Sequence, residues 1–141
     1  MIIDNRKVSI TIDGLEDSYS VAMMTRNQRA LFVQIRCWLK LTDYDIDYKA
    51  FFQRLQIQLR NYTHGLFGER TIFEQSVTLW DGKRKNGRKC YQVELAFLLP
   101  EPEPKIDKLI EKYKGKIEAF THFLNTKLQA GHMQITSARK K

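Results

Sequence analysis

The stretch from Arg70 to Leu99 constrains the fold more than any other, because two alternating segments flank a cationic turn. One face of the first segment carries Phe73, Gln75, Val77 and Leu79. The matching face of the second carries Tyr91, Val93, Leu95, Phe97 and Leu99. Alternation with period two, rich in β-branched and aromatic residues, is typical of half-buried strands. The stretch therefore predicts a long β-hairpin.

The turn of this hairpin, DGKRKNGRK, joins a strong turn signal to a run of positive charge. Asn86-Gly87 suits a type I′ turn because both residues tolerate positive φ. Such a turn sets Lys85 opposite Arg88 and Arg84 opposite Lys89, and like charges directly opposite destabilise a ribbon. We therefore expect either a solvated, solubilising tip or a tip neutralised by a polyanion. A nuclear-localisation patch is a third interpretation.

The positive charge is concentrated in two places. The 141 residues carry a net charge of +8. The hairpin has six basic residues against three acidic, and the tail from Ala130 has three basic residues and no acid, so these two segments hold six of the eight excess charges. A concentrated excess of this kind is typical of a nucleic-acid footprint, and an acidic protein or a membrane surface would also fit it.

Three further strands are predicted before the hairpin. Residues 7–12 alternate, and residues 18–24 form a short apolar segment for which a helix starting near Ser18 is the alternative. Residues 30–42 show six alternations in a row. Their second face carries Arg36, Trp38 and Lys40, which predicts either a solvated sheet surface or one that carries nucleic acid.

Two helices are predicted from a change to helical spacing. The first runs from Asp43 or Asp45 to about Tyr62 and is followed by an exit loop over residues 63–69. After the proline-rich joint LPEPEPK, the second runs from Lys105 to about Leu128 and ends at Gly131. The last residues, HMQITSARKK, predict a short strand and a basic tail.

The second helix has two faces of interest. Its apolar stripe either packs on the sheet or forms a homodimer through residues 105–128. A row of lysines lies on the outward face of the helix and is interpreted either as a solvated surface or as a surface that contacts phosphates. The row contains Lys105, Lys108, Lys112 and Lys116.

Together these elements predict an α+β fold. We expect an antiparallel sheet of about five strands, two helices on one face and a long basic β-hairpin. Residues 1–131 form the single domain in this interpretation, and residues 132–141 form a basic C-terminal tail.

The sequence contains no catalytic fingerprint, and we expect no cofactor and no metal site. Cys37 and Cys90 are interpreted as reduced structural thiols. His64 with Glu69 is a weak candidate for acid–base chemistry. The N-terminus lacks the apolar segment of a signal peptide, and no run is long enough to span a membrane, so we expect a cytoplasmic protein.

The leading functional hypothesis is a small, non-enzymatic nucleic-acid-binding protein with an accessory or regulatory role, DNA being slightly favoured over RNA. The candidate contacts are Lys83, Arg84, Lys85, Arg88, Lys89, Trp80, Tyr91, Arg36, Lys40, Lys108, Lys112, Lys116, Arg139, Lys140 and Lys141. Cations would neutralise phosphates, and aromatic rings at the base of the hairpin would stack on bases. The alternative is a protein-interaction module that docks its basic hairpin on an acidic partner.

Overall fold

The computed structural model describes residues 6–15, 19–26, 30–40, 48–80, 90–101 and 105–139, of which the side chains at 26, 39–40, 79–80, 90 and 132–139 are left aside. The elements follow in chain order: β1 Val8–Ile10, β2 Tyr19–Arg26, β3 Ala30–Lys40, α1 Lys49–Phe67, β4 Ile72–Trp80, β5 Cys90–Pro100 and α2 Ile106–Arg139.

The five strands form one antiparallel sheet in the order β1-β2-β3-β5-β4. Because β5 lies between β3 and β4, those two strands run parallel, and α1 makes the crossover between them as in a split β-α-β unit. Both helices pack on the same face. The prediction of an α+β fold with a five-stranded antiparallel sheet and two helices is confirmed.

Alternation along the strands decides which side chains enter the core. The odd-numbered residues of β3 and β5 face the helices, and those from Leu31 to Cys37 and from Val93 to Leu99 are at most 1% exposed. The stripe of α2 meets them, with Ile106, Leu109, Tyr113, Ile117, Phe120, Leu124 and Leu128 all in the core. The stripe therefore packs on the sheet, and a homodimer through α2 would need a different surface of that helix.

The arms of the hairpin pair in a register that the predicted turn does not produce. Trp80 pairs with Cys90, and Phe73 pairs with Phe97. An unbroken ladder from a two-residue turn at Asn86-Gly87 would pair Trp80 with Val93 instead, which joins the open face of one arm to the buried face of the other. That register is wrong for the arms, although the turn itself and the pairs at 84–85 and 88–89 lie outside the described residues.

The first helix ends later than the sequence predicts. The described helix starts at Lys49, and Asp43 and Asp45 lie outside the described residues. It continues to Phe67 and ends at Gly68, whose φ of +104° suits glycine. The predicted exit loop over residues 63–69 is wrong because Phe67 still packs on the sheet, with its ring 5.0 Å from that of Phe97.

The second helix continues past the predicted stop. Gly131 lies inside α2 and is buried, and the backbone is helical to Arg139, so the prediction that the helix ends at Gly131 and a strand follows is wrong. A glycine suits this position because α1 approaches α2 closely here. A Cβ at Gly131 would overlap the ring of Phe51 on α1. The sequence predicts that Gly131 ends the helix, whereas the absence of a side chain at this residue makes room for the neighbouring helix.

Candidate nucleic-acid interface

Seven of the predicted contact residues lie outside the described residues: Lys83, Arg84, Lys85, Arg88, Lys89, Lys140 and Lys141. Three backbone positions show from which end of the sheet residues 81–89 leave. Cys90 pairs with Trp80 on one side and with Lys40 on the other. Two predicted contacts, Trp80 and Lys40, therefore lie at the end of the sheet that carries the hairpin. Arg139 is the last residue of α2, 33 positions after Ile106.

Tyr91 does not present its ring as a free stacking platform. The ring is half-buried and lies edge-on to Tyr48 at 5.3 Å and to Phe52 at 5.2 Å between centroids. These contacts hold the start of α1 on the sheet, and each such aromatic pair contributes about 0.5–1.5 kcal/mol beyond its burial. Tyr91 therefore has a packing role in this structure, and its part in stacking on bases stays a prediction.

In the described part of the open face, the candidate cation Arg36 is already paired. The guanidinium of Arg36 donates twice to Oε2 of Glu94, at 3.1 and 3.2 Å, and Gln34 donates to Oε1 of the same carboxylate at 2.9 Å. Glu74 lies exposed on the same face. The positive charge of Arg36 is therefore balanced by its neighbour on β5, and the described side chains around it offer little to a polyanion.

The lysine row on α2 is divided between paired and unpaired side chains. Lys112 donates to Glu101 at 2.9 Å, and the same carboxylate oxygen accepts from the hydroxyl of Tyr113 at 2.8 Å. The hydrogen bond to Glu101 raises the pKa of Lys112. Lys108 and Lys116 are exposed and form no ion pair with any residue that the structure describes. These two are the lysines of the row that remain available to a phosphate.

Helix α1 supplies functional candidates that the sequence reading passed over. Residues 48–68 contain no aspartate or glutamate, whereas Lys49, Arg54 and Arg60 contribute three positive charges. Arg54 and Arg60 are exposed, and Ile57 between them is 56% exposed on the outward side of the helix. The absence of acidic residues from 48–68 is the sequence signal that could have identified these candidates. The basic residues are spread along the helix, so they do not stand out as a cluster.

The helical layer carries most of the charge of the described chain. The two helices contain nine lysine and arginine residues against three acidic residues, a net charge of +6. The five strands contain three basic and two acidic residues, a net charge of +1. Because the helices cover only one face of the sheet, the described elements carry a net positive charge on the helical side and are nearly neutral on the open side.

His64 has a structural role in the connection between α1 and β4. Its Nε2 donates to the carbonyl oxygen of Thr71 at 3.0 Å, which ties the end of the helix to the start of the strand. This bond uses one ring nitrogen, and no contact joins His64 to Glu69 within the described ranges. The geometry therefore gives no support to acid–base chemistry by that pair.

Metal binding, membrane spanning and the state of a cysteine can be read from the part of the chain that the structure describes. No group of three His, Cys, Asp or Glu side chains there is close enough to hold a metal ion. Neither described helix has a segment long and apolar enough to cross a membrane. Cys37 is a buried free thiol, and burial raises its pKa to about 12.

The described elements form a small α+β fold in which the helices carry more positive charge than the sheet. Comparisons with protein-family models, with curated proteins and with solved structures find no match to the chain. Its function must therefore be argued from the geometry and the charges described above.

Proposed function

We propose that this chain is a non-enzymatic nucleic-acid-binding protein, accessory or regulatory in role, and that it contacts phosphates through its helical layer, its basic hairpin and its C-terminal residues. The support is the net charge of +6 on the two helices, against a sheet that balances its own charge. Lysines and arginines that meet phosphates release condensed counterions, and this release drives binding without regard to sequence.

Two groups of cations carry this proposal. The first is the hairpin run Lys83, Arg84, Lys85, Arg88 and Lys89. The second is the exposed pair Lys108 and Lys116 on α2. Arg36 and Lys112 contribute less in this scheme, because each already donates to a carboxylate of the same molecule. Contacts to phosphates alone give weak sequence specificity and a steep dependence on salt.

The test is a titration with duplex DNA and with RNA of matched length across a series of salt concentrations. Each phosphate contact contributes about 0.9 to the slope of log K against log salt for duplex DNA. The double variant Lys108→Gln with Lys116→Gln should therefore reduce the magnitude of this negative slope by about two. Neutral residues at the five hairpin positions should lower it further. DNA is the first ligand to test.

A matched control removes charges that are already paired. Arg36→Gln with Glu94→Gln keeps the net charge of the chain and deletes the ion pair of the open face. Affinity and slope should stay at the parental values in this variant. The proposal fails if the helical and hairpin variants also keep the parental affinity and slope, or if the open-face variant changes the slope as much as they do.

A protein-interaction module is the second candidate, because no described segment pairs with the outer edge of β4, which lies next to a cleft. In that case the hairpin would dock on an acidic partner, and binding to the partner would survive nuclease treatment. Light scattering on the titration sample separates a monomer from the homodimer that the second helix was predicted to form.

A further inference from the structure

Strand β4 is the exposed edge of the sheet on the side of α1. It is nine residues long, contains no proline or lysine, and pairs with β5 on one side only. No described segment makes a backbone hydrogen bond to its other side. Alternate residues of an edge strand direct their N–H and C=O groups away from the sheet. Natural edges are usually short, charged or covered, and the opposite edge, β1, has only three residues.

A cleft of about 310 Å³ runs along this edge between β4 and α1. Its apolar floor is formed by Phe52, Val77 and Tyr91, and its helical rim by Lys49, Gln53 and Gln56. The side chain of Gln75 also lines it. The Nε2 of Gln75 donates to the carbonyl oxygen of Phe52 at 3.1 Å, which fixes the amide, and its Oε1 is buried without a hydrogen-bond partner. A buried acceptor without a partner destabilises the structure until a donor reaches it.

The flank of α1 that overlooks the cleft favours an acidic occupant. Arg60 follows Gln56 by one helical turn and is exposed, and the helix contains no carboxylate to balance it. The opposite side of β4 shows the reverse preference, because Glu74 is exposed there. A strand added to β4 places alternate side chains on these two sides. Acidic side chains would meet the helix, and neutral or apolar ones would lie beside Glu74 and Ile72.

We propose that the groove between β4 and α1 binds an extended acidic peptide segment of a partner protein by strand addition. Backbone groups of the segment pair with the outer edge of β4, and its helix-facing side chains enter the cleft. The segment also offers donors to the unpaired Oε1 of Gln75. Strand addition takes affinity from the main chain and specificity from alternate side chains, and here Arg60 and the amide groups of α1 set that specificity.

Two other occupants of the groove are less favourable than an acidic peptide: a second copy of the chain and a nucleic acid. A second copy paired through β4 would bring two α1 flanks together, each with Lys49 and Arg60 and without an acid, and like charges disfavour that arrangement. A nucleic acid would use the same cations but has no amide N–H groups to pair with the edge of a sheet. Both are distinct outcomes of the experiment below.

The probe is an eight-residue peptide that alternates valine and glutamate, labelled with fluorescein and added to the full chain. Two control peptides keep its length: one replaces glutamate by lysine, and one is N-methylated at alternate residues so that it cannot pair as a strand. We expect binding by anisotropy, at least tenfold weaker binding of either control, and chemical-shift changes in the amides of β4 but not of β1.

Two variants of the same helix test the charge argument. Arg60→Glu should weaken the probe about fivefold, from an exposed pair worth up to about 1 kcal/mol. Arg54 lies about 120° from Arg60 around the helix axis. Arg54→Glu makes the same charge change there and should leave the affinity for the probe within about twofold of the parental value. Equal weakening by both would mean that only net charge matters, and it would overturn the assignment to the groove.

Other results also overturn the proposal. One is the absence of shifts in the β4 amides at millimolar probe, and another is equal binding of the N-methylated peptide. If the β4 amides become protected with rising protein concentration alone, and light scattering shows a dimer, the occupant is a second copy. If duplex DNA shifts the same amides and displaces the probe, the groove belongs to the nucleic-acid surface.

Discussion

Glycine in a helix interior is normally a weakness, and helix α2 contains two glycines whose surroundings differ completely. Gly115 is exposed, and a Cβ there would meet nothing within 4 Å. Gly131 is buried, and a Cβ there would overlap three atoms of the Phe51 ring. The same substitution at the two positions therefore changes helix propensity equally and packing unequally.

The expected free energies follow from these surroundings. Alanine is favoured over glycine in a helix interior by about 0.8–1.0 kcal/mol. Gly115→Ala should therefore raise the free energy of unfolding by about that amount. At Gly131 the added methyl must displace Phe51, whose ring lies 5.2 Å from Phe52 and 6.4 Å from Tyr48 between centroids. Overpacking typically costs about 1–3 kcal/mol, so Gly131→Ala should be neutral to destabilising by about 2 kcal/mol.

Urea unfolding followed by circular dichroism at 222 nm measures both variants. The difference between them should be about 1–3 kcal/mol, which isolates the packing cost because the propensity gain is common to both. Adding Phe51→Ala to Gly131→Ala should remove much of the penalty, a coupling that a double-mutant cycle detects. If Gly131→Ala stabilises the protein as much as Gly115→Ala does, the close approach of α1 to α2 at this point is wrong.

Two further predictions concern buried groups. Burial raises the pKa of Cys37 to about 12 from 9.0, so the folded state holds this proton more tightly than the unfolded state. The contribution of this thiol to the free energy of unfolding is therefore fully present below pH 9 and is lost as the pH rises from 9 towards 12. In urea titrations, Cys37→Ala should reduce this loss of stability at high pH. Thiol reagents should leave Cys37 unmodified at pH 8 until urea unfolds the protein, and rapid labelling of the folded chain at Cys37 would contradict its burial. Tyr113→Phe removes one of the two described donors to the buried Glu101 and should cost about 1–2 kcal/mol, whereas the exposed Lys114→Gln should cost less than about 0.5 kcal/mol. Equal losses in those two variants would contradict the role assigned to Glu101.

The register of the described hairpin arms can be compared with the register that the predicted turn implies. Asn86-Gly87 is a strong signal by itself, but the apolar residues of both arms occupy odd positions, from Phe73 to Leu99. Residues that share a face in an antiparallel pair must lie opposite one another, so odd must pair with odd. A two-residue turn at Asn86-Gly87 pairs odd with even. The described arms follow their own alternation and pair odd with odd, because burial of their apolar face sets the register.

Side-chain partners were the part of the candidate site that the sequence could not supply. Arg36 and Glu94 are 58 positions apart and become neighbours only because β3 pairs with β5. Lys112 and Glu101 meet across the proline-rich joint. A charge is available to a ligand only if no such partner neutralises it, and partners of this kind come from the register of strands and the docking of helices.

The sequence by itself determined the strands, the existence of both helices and the faces that they bury, because periods of two and of 3.6 residues record which side chains must leave water. The tertiary structure alone decided the strand order, the unpaired edge at β4, the cleft beneath α1 and the use of Gly131 as a contact. These features depend on distances between segments far apart in the chain. Local periodicity carries no information about such distances.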